Sequence, residues 1–66
     1  MDEKTDFIAY CVEEYKAANS MTGKAVIDLF NHYHVLEYIR SYYDALHTTG
    51  SRYIVDDINM YITARQ

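Results

Sequence analysis

The sequence contains no proline, only two glycines and a single cysteine, and each scarcity excludes a structural feature. Gly23 and Gly50 are the only strong backbone breaks, which favours long helices over many short strands joined by turns. A lone cysteine, Cys11, cannot form a disulfide within the chain, so the fold must depend on its core. No run of apolar residues approaches the about 20 that a membrane-spanning helix needs, so we expect no membrane association.

The length and charge of the chain predict one small globular domain over residues 1–66. Ten acidic and six basic residues give a net charge of −4, and 50% of the residues are apolar. A domain of about 60 residues buries only about 60% of the surface that its unfolded chain exposes, which leaves little room for an enclosed substrate pocket. We therefore expect no enzymatic activity, and we expect apolar surface that a partner chain covers.

The first residues give no sign of export. Met1–Asp6 lack the basic segment followed by an apolar segment that marks a secretory signal. Together with the unpaired Cys11, this N-terminus favours a reducing, cytoplasmic location.

The spacing of apolar residues predicts an all-α fold, a small four-helix domain. Apolar residues recur every three or four positions from Phe7 to Tyr15, which predicts an amphipathic helix over about 3–18. The predicted second helix covers 22–32 and begins at Thr22, whose hydroxyl can accept a hydrogen bond from a free amide of the first turn.

The second half of the chain predicts two more helices, one of them with an irregular start. Apolar residues again follow a helical line over 35–47. Residues 53–55 favour a strand, whereas Asp56 is a good N-cap. We therefore predict a short extended piece over 53–55 and a last helix over 57–65; a helix that starts near Arg52 is the alternative.

Tyrosine is the strongest compositional signal, with eight of the 66 residues and no tryptophan. Tyr38, Tyr42 and Ala45 extend the apolar arc of the third helix beyond its core line, and Tyr10 lies off the core line of the first helix. Exposed tyrosine is enriched at protein interfaces, while a half-exposed position at the rim of the core is the alternative. These four residues are therefore the predicted interface with a protein partner or a second copy.

Residue types that support catalysis or bind metals are present, but their spacing is unsuitable. The adjacent carboxylates Glu13–Glu14 and Asp56–Asp57 diverge by about 100° on a helix and do not face each other across a cleft. The soft metal ligands also lack the spacing of a zinc site. We therefore expect no catalytic residue, cofactor or metal. These ligands are Cys11, His32, His34 and His47.

The predicted helices over 22–32 and 35–47, joined by a tight turn, suggest a helix-turn-helix as an alternative. A recognition helix needs basic or amide side chains, whereas the third helix offers Glu37, Arg40 and Asp44 in a domain of net charge −4. We therefore do not expect nucleic-acid binding. The leading hypothesis is a non-enzymatic protein-protein interaction module, and a nucleic-acid-binding regulator is the alternative.

Three segments, Tyr33–Ile39, Leu46–Gly50 and Tyr53–Ile58, resemble a family of short bacterial proteins of unknown function, and the likeness extends over almost the whole chain. The resemblance implies a small helical protein whose gene lies beside that of an ADP-ribosyltransferase-like protein, an arrangement similar to a toxin-antitoxin cassette. It implies no role for any residue. The family has glycine where this chain has His34; if that turn needs a positive φ, histidine adopts it at some cost.

Overall fold

A computed structural model describes residues 2–66, which form helices and no strand. The prediction of a small all-α domain is therefore confirmed. Within residues 2–66, no helix combines the length and the apolar character needed to cross a bilayer. The helices are α1 (Glu3–Asn19), α2 (Gly23–His32), α3 (Val35–Ser41), α4 (Tyr43–Leu46) and α5 (Ser51–Thr63).

Side-chain caps set the starts of α1 and α2. The Asp2 carboxylate accepts a hydrogen bond from the Thr5 amide at 2.7 Å, and the Thr22 hydroxyl accepts one from the Ala25 amide at 3.1 Å. Each cap satisfies one of the amides that the first turn of a helix leaves without a partner. The prediction that Thr22 caps the second helix is therefore confirmed.

The core lies between α1 and the helices packed against it, which are α2, α3 and α5. Phe30 of α2 is fully buried and lies edge-on to the ring of Tyr15 in α1, with 5.2 Å between the ring centroids. Every helix contributes to the core. The other buried apolar side chains are Cys11, Val26, Val35, Ile39, Leu46, Ile54, Val55, Ile58 and Ile62.

The last helix begins at Ser51 rather than at the predicted Asp57, and residues 53–55 lie inside it. The prediction of an extended piece over 53–55 is therefore wrong. The buried side chains of α5 recur along one helical face, and burying an isoleucine contributes about 1.5–3 kcal/mol, whereas strand preferences span only about 1 kcal/mol. Packing therefore outweighs local preference. These side chains are Ile54, Val55, Ile58 and Ile62.

The segment predicted as one helix over 35–47 is divided at Tyr42, whose φ of −107° and ψ of 20° leave the helical range. The sequence carries neither proline nor glycine at this point, so no local signal marks the break. The break separates contacts to different helices: Tyr38 stacks on Tyr61 of α5, whereas Tyr43 contacts Phe7 of α1.

The turn between α2 and α3 depends on a left-handed residue. His34 has φ 59° and ψ 36°, a conformation in which glycine is unstrained and histidine is not. The Tyr61 hydroxyl of α5 donates a hydrogen bond to the Tyr33 carbonyl oxygen at 2.9 Å. This bond fixes the turn to α5 and satisfies a carbonyl at the end of α2.

Candidate functional site

Two helices present tyrosines to each other on one side of the domain. Tyr38 belongs to α3, and Tyr42 caps the end of this helix with its amide bonded to the Tyr38 carbonyl oxygen at 3.0 Å, so the two side chains lie on the same side. Tyr53 and Tyr61 lie on α5, eight residues apart and therefore also on one face. We call these four residues the tyrosine surface.

Contacts within the domain hold three rings of the tyrosine surface, those of Tyr38, Tyr42 and Tyr61. Tyr38 stacks on Tyr61 with 4.1 Å between ring centroids, and Tyr42 lies 5.0 Å from Tyr38 at a tilt of 45°. The guanidinium of Arg65 lies 3.6 Å from the centroid of the Tyr61 ring, a cation-π contact. These three rings are therefore held in place before any partner binds.

A carboxylate lies at the centre of the tyrosine surface. The Tyr38 hydroxyl donates a hydrogen bond of 2.6 Å to Asp57 Oδ2, and Asp57 is half-buried. Burial raises the pKa of the Tyr38 hydroxyl, the bond to Asp57 raises this pKa further, and the nearby Tyr42 and Tyr53 add smaller contributions. The Tyr38 hydroxyl is therefore protonated at neutral pH and donates a hydrogen bond, and the phenols of Tyr42 and Tyr53 lie close to it.

The tyrosine surface has a half-buried floor, formed by Tyr38 and Tyr61, and an exposed rim, formed by Tyr42 and Tyr53. Tyr38 and Tyr61 are half-buried and pack against the core. Tyr42 and Tyr53 are 55% and 59% exposed, so more than half of each side chain is free to contact another molecule. Met60, 72% exposed and two helical turns after Tyr53, extends the apolar area along α5.

The predicted interface residues do not all lie together. Tyr10 stacks on Phe7 at 6.0 Å between ring centroids, and Phe7 meets the Tyr43 ring edge-on at 5.4 Å. Tyr43 in turn stacks on His47 at 4.4 Å. Tyr10 therefore belongs to a cluster between α1 and α4, whereas Tyr38 packs towards α5.

Sequence reasoning placed Tyr42 at this surface and missed the contribution of α5. Tyr53 falls within the extended piece predicted over 53–55, so its place on a helical face is not foreseen. With α5 starting at Ser51, Tyr53, Asp57 and Tyr61 follow the spacing i, i+4 and i+8, which is the signal that identifies the face. Ala45 is exposed, and its amide donates to the Tyr42 carbonyl oxygen at 3.1 Å.

The potential metal ligands and the thiol are placed apart from one another. In the part of the chain that the structure describes, no three His, Cys, Asp or Glu side chains come together to hold a metal ion. Cys11 is fully buried, and burial raises the pKa of its thiol to about 12, so the thiol stays protonated and unreactive at neutral pH. His32, His34 and His47 are exposed.

Helix α3 carries one basic side chain, and its guanidinium is engaged within the domain. Arg40 is the basic residue of α3, and it donates to the Thr5 hydroxyl at 3.3 Å and lies 3.8 Å from the Asp2 carboxylate. Glu37 is exposed at the start of the same helix.

The fold and the tyrosine surface define a small helical domain with an exposed aromatic face beside a carboxylate. The chain belongs to the family described as Protein of unknown function (DUF3791), whose family model matches residues 6–65. The predicted resemblance to a family of unknown function is thereby confirmed. No curated protein and no solved structure matches the chain.

Proposed function

We propose that this chain is a protein-binding module that docks a partner protein through the tyrosine surface. The observation that supports this function is the pair of rim rings, Tyr42 and Tyr53, each more than half exposed beside the stacked Tyr38 and Tyr61. A tyrosine side chain has few rotatable bonds to fix on binding, and tyrosine is enriched among residues that dominate binding energy.

The net charge of −4 indicates which kind of partner the module suits. An acidic domain attracts a basic surface and repels a second copy of itself, and the attraction raises the rate of encounter. In the gene arrangement that the resemblance implies, the partner is the adjacent ADP-ribosyltransferase-like protein. The module would then be the neutralising half of a toxin-antitoxin pair.

The test is association between the purified chain and the product of the adjacent gene. We expect light scattering to give the mass of a complex in the mixture. The double variant Tyr42→Ala with Tyr53→Ala should weaken binding by about tenfold or more, because it removes two exposed rings without touching the buried core. Affinity is measured by calorimetry.

Ile27→Ala is the matched control, since Ile27 is 38% exposed on α2, outside the tyrosine surface. This variant should bind like the parent chain. Parent-like binding by the double tyrosine variant would show that the interface lies elsewhere, and failure of the adjacent gene product to bind would reject the antitoxin role.

A further inference from the structure

We infer that the tyrosine surface recognises an arginine side chain of the partner, held by the carboxylate of Asp57 and the exposed rings of Tyr42 and Tyr53. This inference rests on the proposed function, because it names the partner chemistry at the same surface.

The first reason is the unused hydrogen-bonding capacity of Asp57. Its Oδ2 accepts the Tyr38 hydroxyl at 2.6 Å, whereas no group within residues 2–66 donates to Oδ1 and no basic side chain there lies within ion-pair distance. A carboxylate can accept about four hydrogen bonds. No buried side-chain oxygen within residues 2–66 lacks a partner, so Oδ1 is open to solvent, and an incoming cation can donate to it in place of water.

The second reason is a guanidinium that the same surface already holds. Arg65 lies over the Tyr61 ring at 3.6 Å from its centroid. A planar guanidinium can stack on a ring and donate two hydrogen bonds to a carboxylate at the same time, which a lysine ammonium cannot do. The exposed ring of Tyr42 lies next to Tyr38, and exposed Tyr53 comes one helical turn before Asp57 on α5, so the surface favours arginine over lysine.

The third reason concerns where the arginine comes from. Within the chain, Arg40 is engaged by Asp2 and Thr5, and Arg65 is engaged by Tyr61. Arg52 is exposed, but a second copy that offered it would bring another net charge of −4. The arginine is therefore assigned to a different, basic protein.

The experiment uses the full chain and two short peptides as probes, one of alternating arginine and alanine and one of alternating lysine and alanine. Fluorescence anisotropy should show tighter binding of the arginine peptide by about fivefold or more. Asp57→Asn should weaken that binding by about tenfold. Asparagine keeps an oxygen that accepts from the Tyr38 hydroxyl, and thermal melting checks that the variant folds.

Asp56→Asn is the matched control, because it removes the same charge from an exposed neighbour that makes no bond to Tyr38. It should weaken binding by less than about twofold. If the two variants lost affinity equally, or if both peptides bound with equal affinity, binding would be explained by general charge attraction, and the inference would be overturned.

Two further outcomes would also overturn it. Absence of binding to the arginine peptide would reject the arginine site. The proposed function is tested separately, by whether the adjacent gene product binds the chain and whether the double variant of Tyr42 and Tyr53 loses that binding. A dimer of the purified chain that Arg52→Ala converts to a monomer would identify a second copy as the occupant.

Discussion

The Tyr38 hydroxyl and the Asp57 carboxylate are joined by a 2.6 Å hydrogen bond across 19 positions of sequence. The bond connects α3 to α5 at the centre of the tyrosine surface, where a charged acceptor strengthens it. Tyr38 therefore stabilises the domain as well as shaping its surface, which makes Tyr42 and Tyr53 the cleaner positions for testing binding.

Tyr38→Phe removes this hydrogen bond and keeps the stacked ring. We expect the free energy of unfolding to fall by about 1–2 kcal/mol, since the bond is charge-assisted and half-buried. Urea denaturation measures the loss. Tyr53→Phe is the control, because its side chain is 59% exposed, and it should change the stability by less than about 0.5 kcal/mol. Equal stability of the two variants would show that the bond contributes nothing.

Phe30→Ala should lower the free energy of unfolding by about 3–5 kcal/mol, because Phe30 is fully buried against Tyr15. A loss of this size is enough to unfold a domain of this length at ambient temperature. Phe30→Leu, which preserves most of the volume, should cost much less. Far-ultraviolet circular dichroism follows both melts, and a parent-like melt for the alanine variant would contradict the placement of Phe30 in the core.

His34→Gly should raise the free energy of unfolding by about 0.5–1 kcal/mol. The left-handed conformation at φ 59° costs a residue with a Cβ about 1–2 kcal/mol, and glycine removes this cost. Glycine also makes the unfolded chain more flexible, which offsets part of the stabilisation. Ala9→Gly, at an exposed position inside α1, should instead destabilise the domain by about 0.5–1 kcal/mol. Chemical denaturation distinguishes the two signs, and a destabilised His34 variant would refute the strain.

Stability should fall as the pH rises above about 9. Burial raises the pKa of the Cys11 thiol from an ordinary 9.0 to about 12, and burial also raises the pKa of Tyr15 and of Tyr38 above the ordinary 10.0. The folded state holds these protons more tightly, so the stability is fully present below the unfolded pKa values and is lost as the pH rises through the folded ones. Urea midpoints across this range measure the slope.

Cys11→Ala is the control for this dependence. It should flatten the first part of the decline, which begins near the ordinary thiol pKa of 9.0, and leave the part that the tyrosines cause. A stability that increases with pH in this range would contradict the assigned burial.

Sequence periodicity was sufficient for the fold class and for the start of α2, because Thr22 provides a local cap and the core lines repeat with a helical period. It failed at 53–55, where local strand preference and tertiary burial disagree and burial is the larger energy. It also failed at Tyr42, where neither proline nor glycine marks the helix break and the residues on either side contact different helices.

The candidate site was predictable only in part, for the same physical reason. Tyr42 could be placed outside the core line from α3 alone, since helical spacing defines faces. The pairing of Tyr38 with Asp57 and Tyr61 needed the relative placement of α3 and α5, which no local pattern encodes. The separation of Tyr10 from Tyr38 likewise depends on the packing of α1 against α4, which places Tyr10 in the cluster with Phe7 and Tyr43.

The single thiol gives this small domain a built-in measure of its own opening. Cys11 is 0% exposed in the middle of α1, so a thiol-reactive dye can reach the sulfur only when the packing around it comes apart. Under native conditions the labelling rate therefore reports how often the domain opens. A ligand that binds the folded state slows this rate and can be detected without any engineered probe.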